Sequence, residues 1–177
     1  MKKEIFLSLF VLLSLTINTG CDKLDITEDL EFEIEFVANS VTAAFSDEEI
    51  FDAAVYSSVI ADYGDKITKI EVTEVTVWLT SFNSPTGQKI VSSTLSVADE
   101  FGAGEEIIGT VADQDLQSIL NNPIPLTVNQ AGIDRFAGLI KNSPHKALVK
   151  NVGTASSAPI DFVCKFKFKV KMTANPL

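Results

Sequence analysis

The stretch FVCKFKFKVKM, residues 162–172, alternates apolar and basic side chains almost without a break. Every even position from Phe162 to Met172 is apolar, and every odd position from Lys165 to Lys171 is a lysine. A period of two, with aromatic and branched side chains on one side, indicates a strand that buries one face. We therefore expect this segment to line the core and Cys164 to be buried on its apolar face.

A second stretch, LEFEIEF at residues 30–36, alternates in the same way but carries Glu31, Glu33 and Glu35 on its polar side. One interpretation of the lysine row is a basic binding stripe. The other is that the two strands are neighbours, because opposite charges across a ladder contribute roughly 0.2–1 kcal/mol each. The second interpretation explains both rows, so we expect these strands to pair. Their relative direction does not follow from the sequence.

The remainder of the chain contains further strand patterns and fewer helical ones. Ser46 followed by three acids is typical of a helix start, which predicts a helix over residues 47–62. Asn129 precedes a second helical pattern that extends to residue 139, and residues 113–120 fit a short helix. Further strands are predicted at 67–82, with a bulge near Thr73 where the apolar phase changes, and at 89–97, 106–112 and 147–155. The expected fold is mainly β, an antiparallel Ig-like β-sandwich with two or three short connecting helices.

The N-terminus has the pattern of a secretory signal. Lys2 and Lys3 precede a mostly apolar run over residues 5–17, and the next residues are Asn18-Thr19-Gly20-Cys21. A membrane-spanning helix needs about 20 apolar residues, so this run is short for one.

The series Thr19-Gly20-Cys21 after that run resembles the lipobox of bacterial lipoproteins, in the relaxed form typical of Bacteroidota. The resemblance implies that signal cleavage leaves a diacylated Cys21 as the new N-terminus. The other of the two cysteines, Cys164, would then have no disulfide partner, so we expect it to be an unpaired thiol. Residues 22–25 resemble the acidic signals that direct such lipoproteins to the cell surface. The expected organisation is a signal peptide at 1–20, the lipidated Cys21 with a tether to residue 29, and one sandwich domain at 30–177. The body also resembles, in pattern only, Ig-like or late-embryogenesis-type sandwich domains of bacterial lipoproteins.

Composition limits the chemistry. A net charge of −10 argues against nucleic acid as a partner, because phosphate binding needs clustered basic residues. His145 is the only histidine and no nucleophile or nucleotide-binding motif is present, so we expect no enzyme, no cofactor and no metal site. Acids at 99–100, 105–106 and 113–115 leave calcium open as an alternative to helix starts and solvated loops.

Trp78 and Phe82 have the same parity in the strand at 67–82 and are predicted to share a face. If that face is open to solvent, the two rings are a candidate platform for a sugar ring or a partner surface. If it is covered, they belong to the core.

These observations lead to a functional hypothesis. The protein is expected to be lipid-anchored at the outer membrane, on its cell-surface or periplasmic face, as a non-enzymatic accessory or binding subunit of an envelope protein assembly. The alternative is a carbohydrate-binding surface module that holds a glycan on Trp78 and Phe82.

Overall fold

The computed structural model describes residues 25–175, and the part described is mainly β. The strands are β1 (Ile26–Ser40), β2 (Ala44–Asp52), β3 (Ile67–Phe82), β4 (Lys89–Ala98), β5 (Glu106–Asp115), β6 (Ile124–Pro125), β7 (Thr127–Val128), β8 (Lys146–Ala155) and β9 (Ile160–Ala174). The helices are α1 (Ala53–Tyr56), α2 (Ser58–Tyr63) and α3 (Gln130–Lys141), with 3-10 turns at Gly64–Lys66 and Gln117–Ile119. The predicted antiparallel β-sandwich with short connecting helices is confirmed.

The strand order defines the topology of the sandwich. A four-stranded sheet has the order β1-β9-β3-β6, and a five-stranded sheet has the order β2-β8-β4-β5-β7. Strands from the two ends of the chain pair with each other, β1 with β9 and β2 with β8, and the innermost strands β4 and β5 form a hairpin. A long hairpin folded over into two sheets in this way is a jelly roll. The connectivity is therefore that of a jelly roll rather than of an immunoglobulin domain.

β9 lies between β1 and β3 and is antiparallel to both. Its register with β1 places Glu31, Glu33 and Glu35 opposite the lysines at 169, 167 and 165. The predicted pairing of the two charged strands in one sheet is confirmed, and the structure adds its antiparallel direction.

Aromatic rings join the two sheets. Phe45 of β2 lies 5.3 Å from Phe162 of β9 between ring centroids, edge to face. Phe32 of β1 meets Phe51 of β2 at 5.1 Å in a similar arrangement, so both contacts bridge the two sheets. Such geometries are favourable beyond the apolar area that they bury.

α3 closes the sandwich between the sheets. Asn129 caps it as predicted, because its Oδ1 accepts a hydrogen bond from the backbone N–H of Ala131 at 2.9 Å. Phe136 is fully buried and stacks on Phe168 with ring centroids 4.5 Å apart. Gly132 lets the helix approach β5 closely, since a Cβ there would meet the backbone carbonyl of Ile107.

The predicted helix over residues 47–62 is wrong in its first part. Residues 44–52 form β2, which pairs with β8, and the inward-facing rings of Phe45 and Phe51 hold it in the sandwich. The helical segments begin only after Asp52, whose Oδ1 caps α1, and after Ser57, whose Oγ caps α2. Tertiary pairing here outweighs a capping signal that would otherwise start a helix.

Two other boundaries also differ. β5 continues to Asp115, so the short helix predicted over 113–120 is reduced to the 3-10 turn at Gln117–Ile119. β1 begins at Ile26, four residues before the expected start of the domain at Leu30, and Ile26 pairs with Ala174. Residues 1–24, with the signal and Cys21, lie outside the described residues.

The bulge predicted near Thr73 is confirmed by a register shift between Val72 and Glu74 against β9. β3 has two further shifts, between Ile67 and Lys69 and between Leu79 and Ser81. The last of these changes which residues of β3 face the core beyond Leu79.

Two phenylalanines provide a matched test of the core. Phe136→Ala should lower the free energy of unfolding by about 3–5 kcal/mol, because it removes a fully buried ring and leaves a cavity. Phe101→Ala should change it by less than about 0.5 kcal/mol, because that ring is 88% exposed. Urea titration followed by circular dichroism measures both. Equal losses in the two variants would contradict the placement of α3.

Candidate binding surfaces

The outer face of the four-stranded sheet is ionic. The lysines of β9 form a central column between the glutamates of β1 and those of β3. We call this surface the ionic face. Its ion pairs join Lys165 to Glu33 (3.4 Å) and Glu35 (3.7 Å), Lys167 to Glu31 (3.1 Å) and Glu33 (3.3 Å), and Lys169 to Glu74 (2.8 Å).

Carboxylates beside the lysines favour the charged amines. Hydrogen bonds to Glu31 and then Glu33 raise the pKa of Lys167, and the hydrogen bond to Glu74 raises the pKa of Lys169. Because the lysines are paired within their own sheet, the geometry does not favour a basic binding stripe on β9. These are exposed pairs, so each contributes little to stability on its own.

The candidate platform residues Trp78 and Phe82 lie on opposite faces of the sheet. Trp78 is opposite Lys165 on the ionic face, where it is half-buried, and Lys167 Nζ lies 6.0 Å from its ring centroid. Phe82 is opposite the buried Phe162 and packs against the core. The register shift between Leu79 and Ser81 reverses the alternation, so the two rings do not form one aromatic strip.

Cys164 is a buried, unpaired thiol on the inner face of β9, as predicted. Burial raises the pKa of this thiol to about 12. Asn151 Nδ2 lies 3.4 Å from Cys164 Sγ and donates to it, and Ser93 Oγ donates to Asn151 Oδ1 at 2.7 Å. The thiol therefore belongs to a small polar cluster inside the core and is neutral at physiological pH.

His145 has a structural role in the turn between α3 and β8. Its Nδ1 lies 2.9 Å from the carbonyl oxygen of Ile140, which accepts a hydrogen bond from it. Its own carbonyl accepts from the backbone N–H of Ala53 at 2.9 Å, which ties α1 to this turn.

The acidic segments considered for calcium act as local hydrogen-bond acceptors. Asp99 Oδ1 accepts from the backbone N–H groups of Phe101 (3.0 Å) and Ala103 (2.8 Å) and so shapes the β4–β5 loop. Asp115 Oδ1 accepts from the N–H of Ser118 at 3.0 Å. Across residues 25–175, no three His, Cys, Asp or Glu side chains are grouped so that they could hold a metal ion.

A groove of about 820 Å³, which no sequence pattern predicts, lies on the outer face of the five-stranded sheet. Its lining includes five hydroxyl side chains and a lysine, namely Ser46, Ser92, Thr94, Ser96, Thr154 and Lys150. We call it the hydroxyl groove. The alternation of Ser92, Thr94 and Ser96 is visible in the sequence, but only the register of β2, β8 and β4 brings the remaining residues beside it.

Comparisons with known proteins find no matching sequence family and no matching curated protein. Among solved structures, the chain is similar to Desmodium yellow mottle tymovirus, with 9% identity, 89% of this chain and 93% of that chain covered, and a TM-score of 0.40. It is also similar to the 60-mer BFDV capsid protein, with 11% identity, 88% and 97% covered, and a TM-score of 0.41. At these TM-scores the likenesses carry no argument about function.

A charge substitution tests the ionic face. Lys167→Glu should lower the free energy of unfolding by about 1 kcal/mol, because it replaces two ion pairs by repulsion from Glu31 and Glu33. Lys167→Gln should lower the free energy of unfolding by less, since it removes the attraction without adding repulsion. Urea titrations in 50 mM and 1 M NaCl span a range in which screening increases strongly. The difference in the free energy of unfolding between the two variants should therefore be smaller at high salt. Equal, salt-independent losses would mean that the lysine stem, and not its charge, stabilises the sheet.

Proposed function

We propose that this protein is a lipoprotein anchored in the bacterial outer membrane through Cys21, where it serves as a non-enzymatic accessory or binding subunit of an envelope protein assembly. The observation that carries the proposal is the Thr19-Gly20-Cys21 series, after a charged and then apolar segment, immediately before a folded domain. Acyl chains on Cys21 would contribute about 0.8 kcal/mol per buried methylene to membrane binding.

The start of β1 sets how far the domain can stand from such an anchor. Ile26 is five residues after Cys21. An extended chain covers at most 3.3–3.6 Å per residue, so the link reaches about 18 Å. The proposed anchor would therefore hold the sandwich close to the headgroups, near the end at which β1 begins. Among residues 25–175, no helix combines the length and the apolar character that a membrane crossing requires.

A non-enzymatic role is supported by what the chemically versatile side chains do. His145 joins α1 to the turn before β8, and Asp99 shapes the β4–β5 loop. Cys164 is buried and its raised pKa keeps it neutral. Each of these groups is engaged in holding the fold. The alternative, a glycan on Trp78 and Phe82, is not favoured, because the two rings face opposite sides of the sheet.

The anchor has a direct test. Cells expressing the full chain and fed a clickable palmitate analogue should yield a labelled band that is absent for Cys21→Ala. Cys164→Ala is the matched control. It should remain labelled, because Cys21 is intact and the Cys164 thiol that is removed lies buried in the core. Equal labelling of the wild type and Cys21→Ala would exclude lipidation at this residue.

The accessory role is tested separately. Membranes carrying the protein with a C-terminal tag are chemically crosslinked, solubilised and purified on the tag. The proposal expects one envelope protein to be recovered in near-stoichiometric yield. The same protein should be recovered with the Lys167→Gln variant, because this substitution perturbs the ionic face only mildly. Recovery of a monomer without a crosslinked partner would contradict the accessory role and leave the anchor unaffected.

A further inference from the structure

The floor of the hydroxyl groove is built from small side chains in register across three strands, β2, β8 and β4. Neighbouring strands place these side chains about 4.8 Å apart in rows that run perpendicular to the strands. The first row is Ser46, Val152 and Thr94, and the second is Ala44, Thr154 and Ser92. Neither row contains a charged side chain.

Charges stand at one end of this floor. Lys150 pairs in register with Ser96, and Ser96 Oγ donates a hydrogen bond of 2.6 Å to Glu105 Oε1. Lys150 is half-buried and makes no ion pair with any residue between 25 and 175. The groove therefore combines an ammonium donor, a carboxylate acceptor and hydroxyl groups that both donate and accept.

The two outer faces of the sandwich contrast strongly. The ionic face carries long charged side chains, which keep a sheet soluble and discourage pairing with other proteins. Over the hydroxyl groove the side chains are short, so an open space of about 820 Å³ remains above the sheet. That volume lies within the roughly 300–1,000 Å³ of small-molecule sites.

The size of this floor distinguishes between occupants. Three strands and three rows, counting the row of Lys150 and Ser96, cover roughly 300 Å² at ordinary sheet spacings, whereas a stable protein interface buries about 800 Å² on each partner. The groove is too small to carry a protein–protein interface alone. A ligand a few sugar units long fits the area, and its many hydroxyl groups match the donors and acceptors of the floor.

We propose that the hydroxyl groove binds a glycan, with Ser92, Thr94 and Thr154 contacting sugar hydroxyl groups and Lys150 and Glu105 fixing one end of the chain. Lys150 would bind a carboxylate if the sugar is a uronic acid and a hydroxyl group if it is neutral. The proposal depends neither on the anchor at Cys21 nor on a protein partner. The proposed ligand site lies on the five-stranded sheet, whereas Trp78 lies on the four-stranded sheet.

The test uses the full-length protein in a detergent without a sugar headgroup. The probes are arrayed neutral oligosaccharides (glucans, mannans and xylans) and uronate oligosaccharides (polygalacturonate and alginate). We expect retention of at least one class, and a loss of about tenfold or more in affinity for Thr94→Tyr, whose ring would fill the groove. Thr76→Tyr is the matched control. It changes a half-buried threonine on the ionic face and should stay within about twofold of the wild type.

Further variants separate the outcomes. If Thr94→Tyr does not fold, as judged by its urea midpoint, Ser92→Tyr blocks the same groove from an exposed position. Lys150→Gln should abolish retention of uronates, because the positive charge is lost, and should spare neutral glycans, because the glutamine amide can still donate a hydrogen bond to a sugar hydroxyl group. The variant therefore distinguishes the two ligand sources. The proposal is overturned if no glycan of either class is retained, or if Thr94→Tyr and Thr76→Tyr weaken binding equally.

Discussion

The strict alternation of β9 constrains the whole four-stranded sheet. Its even positions supply the aromatic layer of the core, and its odd positions place lysines between two columns of acids on β1 and β3. A one-residue slip of β9 against its neighbours would expose its phenylalanines and bury its lysines, which is far costlier than the loss of a few surface ion pairs. Burial thus sets the register, and the charges, being exposed, act mainly against wrong pairings.

The strands with a clear period of two were predictable for the same reason. The pairing of β1 with β9 and the bulge near Thr73 follow from local patterns, and the structure agrees. β2 is hard to recognise in the sequence because Asp47 and Glu49 have the same parity as the buried Phe45 and Phe51, which hides the alternation. Asp47 is tolerated there because it lies on an edge strand, where Oδ2 accepts the N–H of Val37 at 2.7 Å.

The candidate sites were less predictable than the fold, because they depend on register between distant segments. One added residue beyond Leu79 separates Trp78 from Phe82, and nothing in the spacing of the two aromatic residues reveals it. The hydroxyl groove joins residues near 46, 94 and 152, none of which stands out alone. Its signal is the absence of long side chains, which appears only when the strands are placed side by side.

The jelly-roll order accounts for the different character of the two outer faces. The five-stranded sheet contains β4 from the middle of the chain, whose outward Ser92, Thr94 and Ser96 are short, whereas the four-stranded sheet contains the charged strands near both ends of the domain. Each sheet still buries one apolar face, so folding places no demand on the outer side chains beyond solubility. On the four-stranded sheet, the ionic face meets that demand. The outer side chains of the other sheet are thereby free to form a recessed surface, and a recess lined by hydroxyl groups suits a polar ligand better than a packed partner.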